Sequence, residues 1–178
     1  RVDGLAPDAR EIDCPNQDGK VAVGDIDADG KLDVICPDAS NQALRILSGR
    51  GDGTFSQTSS LIVQGDPSSV VMQDMNHDGS PDLVSTNQNG AAISLVLSDP
   101  VTHQLGPVQN LLSGVDAVTV AVADFDHSGV SDFVLCNRES FFSVFLARGT
   151  TPFQLGQEVR IPTPQSCRAI HTADINRD

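Results

Sequence analysis

Four short clusters of oxygen-bearing side chains recur along the 178-residue chain at almost constant spacing. Their first aspartates are 49, 50 and 50 residues apart. In the three complete clusters, Asp, Asn or Ser stands at positions 1, 3, 5 and 9 of a nine-residue segment, and Gly stands at position 6. The residues are Asp25, Asp27, Asp29 and Asp33, then Asp74, Asn76, Asp78 and Asp82, then Asp124, Asp126, Ser128 and Asp132. This regularity indicates one structural unit used repeatedly.

The spacing of these oxygens predicts a calcium site in each complete cluster. The side chains can converge on one point if the backbone curls tightly, and the glycine allows this by accepting a positive φ. Ca²⁺ suits such a cage because it accepts roughly six to eight oxygens in flexible geometry, whereas Mg²⁺ needs a stricter octahedron. Without a cation, the clustered carboxylates would repel one another. Position 7 is expected to contribute a backbone carbonyl, from Lys31, Ser80 and Val130.

The fourth cluster stops before its glycine and its final aspartate, so the sequence predicts an incomplete site there, formed by Asp174, Asn176 and Asp178. None of the clusters has the glutamate at position 12 or the flanking helical pattern of an EF-hand. A cation enclosed by oxygens with no open position and no nearby base is normally structural. We therefore expect the metal to stabilise the fold rather than to catalyse a reaction.

Short apolar runs flank the clusters and are typical of β-strands. One run precedes each cluster, a second follows each complete one, and two more complete a unit of about 50 residues. The acidic residues are mostly Asp, and the chain contains 15 Gly and 10 Pro, which favours turns over helices. Four strands per unit predict an all-β fold of β-propeller blades. A β-solenoid is the main alternative, but its repeats are usually shorter.

The repeat unit resembles the FG-GAP (VCBS-type) repeat of integrin α-subunit propellers and of many secreted bacterial proteins. The resemblance rests on VAVGDIDADGKLDVI at residues 21–35 and GRGDGTF at residues 49–55. It implies a propeller that closes with about seven blades. The chain would then supply blades at residues 19–65, 66–114 and 115–164 and the start of a fourth at 165–178. The remaining blades would come from a longer chain or from a second copy.

Charge and motifs exclude several classes of function. The net charge is −13, and a nucleic-acid backbone would be repelled by it. Twelve of the 24 acidic residues lie in the four clusters, so we attribute the negative charge mainly to metal ligands rather than to a surface that attracts a basic partner. The sequence has no apolar run long enough to span a membrane, and none of the catalytic motifs GxSxG, phosphate-binding loop or paired Glu. The four histidines show no metal or triad spacing.

We therefore expect a non-enzymatic, calcium-binding propeller scaffold of a secreted or cell-surface protein, which binds a protein or glycan partner. One alternative is a non-catalytic propeller attached to a secreted enzyme. Another is a lectin, although Trp and Tyr, the usual platforms for sugar rings, are absent.

Two further features need an interpretation. Arg50-Gly51-Asp52 is a tripeptide that integrins recognise in cell adhesion, but the repeat itself requires a turn there, so a turn is predicted.

The four cysteines leave two alternatives open. Either Cys14 pairs with Cys36 and Cys136 with Cys167, or all four are unpaired thiols in small core spaces.

Overall fold

The computed structural model describes residues 14–15, 19–90, 93–111, 116–150 and 153–173. In these residues the chain forms three antiparallel four-stranded sheets and no α-helix, which confirms the all-β prediction. The first sheet contains β1 (Ala22–Gly24), β2 (Asp33–Asp38), β3 (Ala43–Gly49) and β4 (Phe55–Ile62). The second contains β5 (Asp66–Gln73), β6 (Asp82–Gln88), β7 (Ile93–Val96) and β8 (Gln109–Leu111). The third contains β9 (Ala117–Ala123), β10 (Asp132–Asn137), β11 (Phe141–Thr150) and β12 (Phe153–Pro162).

Each sheet follows chain order, with every strand hydrogen-bonded to the next one in sequence. A short 3₁₀ turn at Ala39–Asn41 joins β2 to β3. Within the described part of the chain, no helix is long and apolar enough to cross a lipid bilayer.

The three complete acidic clusters are the loops between the first and second strands of the three sheets. The residue before each loop pairs with the ninth residue of its cluster, in the pairs Gly24 with Asp33, Gln73 with Asp82, and Ala123 with Asp132. The same strand register thus closes each loop. We call residues 25–33, 74–82 and 124–132 the first, second and third loops.

The second sheet lies between the other two, and its strand β6 is buried on both faces. Leu83 packs in a cluster with Ile35 of the first sheet, while its neighbour Val84 packs in a cluster with Phe133 of the third. Successive residues of a strand point to opposite faces, so β6 contributes to two cores. The Phe133 ring also meets the Phe153 ring edge to face, with centroids 6.0 Å apart. The sheets therefore stack through apolar faces, and each loop is attached to a rigid strand pair.

Two disulfides lie on the outward faces of the outer sheets. Cys14 bonds Cys36, and Cys136 bonds Cys167, so the alternative of unpaired thiols is wrong. Cys36 follows the inward-facing Ile35 and joins a separate apolar cluster with Val34 and Leu47. Cys136 likewise follows Leu135, which faces the second sheet. Each disulfide thus ties a flanking segment to the face that points away from the stack.

The hairpin between β3 and β4 contains the Arg50-Gly51-Asp52 tripeptide. The N–H of Arg50 donates to the carbonyl of Thr54 at 2.9 Å, and the N–H of Thr54 donates to Oδ1 of Asp52 at 2.9 Å. Gly51 and Gly53 have φ values of +77° and +80°. The predicted turn is therefore confirmed.

Candidate metal-binding loops

The carboxylate at position 1 organises each loop. Its Oδ1 accepts the N–H of position 5 at 3.0–3.1 Å, and its Oδ2 accepts the N–H of position 6 at 2.8–2.9 Å. This arrangement occurs at Asp25, Asp74 and Asp124. Both oxygens of position 1 therefore lie inside the curl of the backbone, where a cation would have to sit.

Position 3 points to the same place as position 1. An oxygen of Asp27, Asn76 or Asp126 accepts the N–H of position 5 at 3.1–3.2 Å, and that N–H is shared with position 1. Two side-chain oxygens from different positions thus meet at one backbone donor in every loop. The sequence spacing predicted this convergence.

Positive φ occurs at two positions of each loop. At position 6, Gly30, Gly79 and Gly129 have φ values of +82°, +92° and +81°, as the glycine pattern predicts. Position 4 also lies in the left-handed region, with φ values of +59° at Ala28 and +57° at both His77 and His127. The sequence analysis did not predict the positive φ at position 4. The only signal was that histidine tolerates this region better than most residues, and Ala28 gave none.

Position 9 differs from the other positions because it is buried. Asp33, Asp82 and Asp132 are 0–1% exposed. Its Oδ2 accepts the N–H of position 2 at 2.7–3.0 Å. Its Oδ1 accepts a backbone N–H from the third strand of the sheet, or from just after that strand, at 2.7–2.9 Å. The third-strand donors are Gly49, Ser98 and Ala147. This carboxylate therefore fastens the loop to the sheet, a role that the ligand pattern alone did not indicate.

Two of the loops gather three carboxylates tightly enough to hold one ion. Oxygens of Asp25, Asp27 and Asp29 lie within 4.8 Å of one another, and so do oxygens of Asp124, Asp126 and Asp132. Two oxygens that share a Ca²⁺ at about 2.3–2.6 Å lie at most about 5 Å apart. The donor sets of these two loops thus fit the cation.

Other groups modify the first and second loops. In the first loop, Nζ of Lys31 pairs with Oδ2 of Asp29 at 2.6 Å, and its hydrogen bond lowers the pKa of that carboxyl. In the second loop, the amide nitrogen of Asn76 donates to Oδ2 of Asp78 at 2.9 Å. Both contacts use carboxylate oxygens at position 5, which is also a predicted ligand position.

The remaining predicted ligands are the residues at position 7, Ser128, and the three residues of the incomplete fourth site. At position 7, the N–H groups of Lys31 and Ser80 donate to the carboxylate at position 5 at 2.9 Å, and Ser80 and Val130 are buried. Ser128 at position 5 of the third loop is exposed. Asp174, Asn176 and Asp178 lie outside the described residues.

Burial and local hydrogen bonds shift two loop carboxyls in opposite directions. Burial raises the pKa of Asp82 to about 6, although the N–H groups of Ser98 and Met75 act against it. The N–H of Gly129 lowers the pKa of Asp124. A cation nearby would favour the ionised form of both carboxyls.

Comparison with protein families identifies a repeat in this chain. The FG-GAP-like repeat family matches residues 25–85 and 74–135. Each match begins at the first aspartate of a loop and extends past the ninth residue of the following loop. Together the matches cover more than half of the chain. Among curated proteins, none matches significantly.

The buried position predicts that Asp132 stabilises the fold without any metal. In excess chelator, Asp132→Ala leaves two N–H groups without an acceptor, one of them on the buried Ala147, and should lower the free energy of unfolding by about 2–4 kcal/mol. The control Asp126→Ala removes an exposed carboxylate of the same loop and should change it by less than about 0.5 kcal/mol. Urea denaturation measures both. Equal losses would contradict the fastening role.

The raised pKa of Asp82 predicts a pH dependence of the calcium-free protein. The folded state binds this proton more tightly than the unfolded state, whose carboxyl titrates near 3.8. The stability contributed by Asp82 should therefore fall as pH rises from about 4 to 6, by roughly 1–3 kcal/mol, and stay low above that. Urea denaturation across this range should show the fall for wild type relative to Asp82→Asn. Parallel curves for the two proteins would contradict the assignment.

Proposed function

We propose that this chain, which belongs to the FG-GAP-like repeat family, is a calcium-stabilised segment of a β-propeller that acts as a binding module for a protein or glycan. The observation that carries the proposal is the common geometry of the three loops. In each loop the oxygens of positions 1 and 3 meet at one backbone N–H, and position 9 fastens the loop to its sheet. The family is a non-catalytic repeat type, which fits a binding role rather than an enzyme.

Calcium is the cation we propose for the three loops. The ligands would be the side chains at positions 1, 3, 5 and 9 and the carbonyl at position 7. A donor set made only of oxygens, several of them from the protein, favours Ca²⁺ over Mg²⁺ or a transition metal. When bound, the ion would supply electrostatic neutralisation, because it offsets the repulsion of the gathered carboxylates.

The blade assignment follows from the repeat. We propose blades at residues 19–65, 66–114 and 115–164 and the start of a fourth at 165–178. Val23, which is 57% exposed in the first sheet, and Val159, which is 53% exposed in the third, fit outer sheets that receive further blades. Those blades would come from a longer chain or a second copy.

An extracellular location is part of the proposal. Two disulfides form between the four cysteines, and disulfides persist in oxidising compartments. Millimolar calcium outside the cell would keep loops of modest affinity occupied. A secreted or cell-surface protein therefore fits both features.

Calcium should raise the stability of the protein markedly. A ligand that binds only the folded state adds about 2.7 kcal/mol per site at a hundredfold excess over its Kd. Thermal melting in excess calcium and in excess chelator should therefore give well-separated midpoints. The matched control replaces position 1 in all three loops (Asp25→Asn, Asp74→Asn, Asp124→Asn) and should abolish the separation. Equal midpoints for the wild-type protein would contradict the proposal.

A further inference from the structure

A cavity of about 310 Å³ lies between the innermost strands and is separate from the loops. Its lining comes from Lys20, from β5 and β9, and from the segment at residues 170–172. Lys20, His171 and Gln73 are among the lining residues. No carboxylate of the described residues lines it.

The backbone of Lys20 is held rigidly against the second sheet. Its N–H donates to the carbonyl of Ser68 at 3.2 Å, and its carbonyl accepts the N–H of Val70 at 3.0 Å. These bonds form a parallel bridge between Lys20 and Ser69. The side chain therefore starts from a fixed point at the edge of the cavity.

One buried hydroxyl binds the other end of the side chain, and a second hydroxyl contacts the first. Nζ of Lys20 donates to Oγ1 of Thr119 at 3.1 Å, and Oγ1 of Thr119 lies 3.5 Å from Oγ of Ser69. Lys20, Ser69 and Thr119 all stand five residues before the first aspartate of their loops. The repeat thus brings three equivalent positions together at one level of the inner strands.

The ammonium keeps unused hydrogen-bonding capacity. It carries three N–H donors, and in the described structure one of them binds Thr119. Thr119 is neutral, and the ion pairs of the described residues do not include Lys20. Lys20 is exposed and stands at the edge of the cavity, so two donors and its positive charge are available to a ligand.

The acidic loops are too far away to neutralise this charge. Lys20 precedes the first loop by five residues of mostly extended chain, a separation of about 16 Å. This exceeds the Debye length of about 8–10 Å at physiological ionic strength. The loops therefore do not neutralise the ammonium.

We propose that the cavity at Lys20 binds a small oxyanion, either a carboxylate or a tetrahedral ion such as sulfate. The ammonium supplies the charge and two N–H donors, and the Thr119 and Ser69 hydroxyls hold it in place. His171 and Gln73 are further polar groups on the wall. The site is distinct from the calcium loops and does not depend on their occupancy.

The test is an NMR titration of ¹⁵N-labelled, calcium-saturated protein with sodium acetate and, separately, with sodium sulfate. Saturable shifts of the Ser69, Val70 and Thr119 amides and of the Lys20 Nζ resonance, with one common midpoint, are expected for at least one probe. Acetate alone would indicate a planar carboxylate ligand, and sulfate alone a tetrahedral one. Shifts that grow linearly with both probes would overturn the proposal.

Variants show whether Lys20 is responsible. Lys20→Met keeps the length of the side chain without its charge and should weaken binding about tenfold or more, whereas Lys20→Arg should retain it. Arg148→Met removes an exposed positive charge elsewhere and should leave affinity unchanged. Equal affinity in Lys20→Met and wild type would refute the site. The Lys20 Nζ titration of the wild type remains decisive even if Lys20→Met fails to fold.

Discussion

The buried carboxylate at the ninth position of each loop is the interaction on which the architecture depends. Asp33, Asp82 and Asp132 each accept one N–H from the start of the loop and another from, or just after, the third strand of the same sheet. One side chain thereby fixes the loop, the first two strands and the third strand relative to one another. A buried carboxylate is stable only when hydrogen-bonded or paired with a cation, and here two N–H groups serve that purpose.

This arrangement explains how an acidic protein keeps its loops folded. The carboxylates at positions 1 and 3 accept loop N–H groups, so the backbone itself stabilises part of their charge. The charges still lie close together, and in the first loop Lys31 offsets one of them. A bound cation would offset the rest. The apolar contacts between sheets then need only hold rigid units together, as Leu83 and Val84 do on the two faces of β6.

The sequence predicted the elements and the approach of positions 1 and 3 within each loop, but not the finer roles of single residues. Spacing located the strands and the glycine turns because both depend on local residue type. The left-handed conformation of Ala28 could not be foreseen, since the hydrogen bonds of the folded loop hold an exposed residue in a region that alanine does not favour. The two hydrogen bonds that Asp33 accepts, from the N–H groups of Ile26 and Gly49, could not be foreseen either, because Gly49 lies in the third strand. The cysteine pairing stayed open because four cysteines fit two disulfides as well as buried free thiols, and the approach of Cys14 to Cys36 and of Cys167 to Cys136 depends on tertiary structure.

A crystal structure of the protein grown with calcium tests the account most directly, through anomalous scattering at the loops. The account predicts one ion inside each described loop, within about 2.3–2.6 Å of oxygens from positions 1, 3, 5 and 9. It also predicts that Asp33, Asp82 and Asp132 keep both backbone hydrogen bonds when the ion is bound. Empty loops, or an ion that draws position 9 away from its two N–H donors, would contradict it.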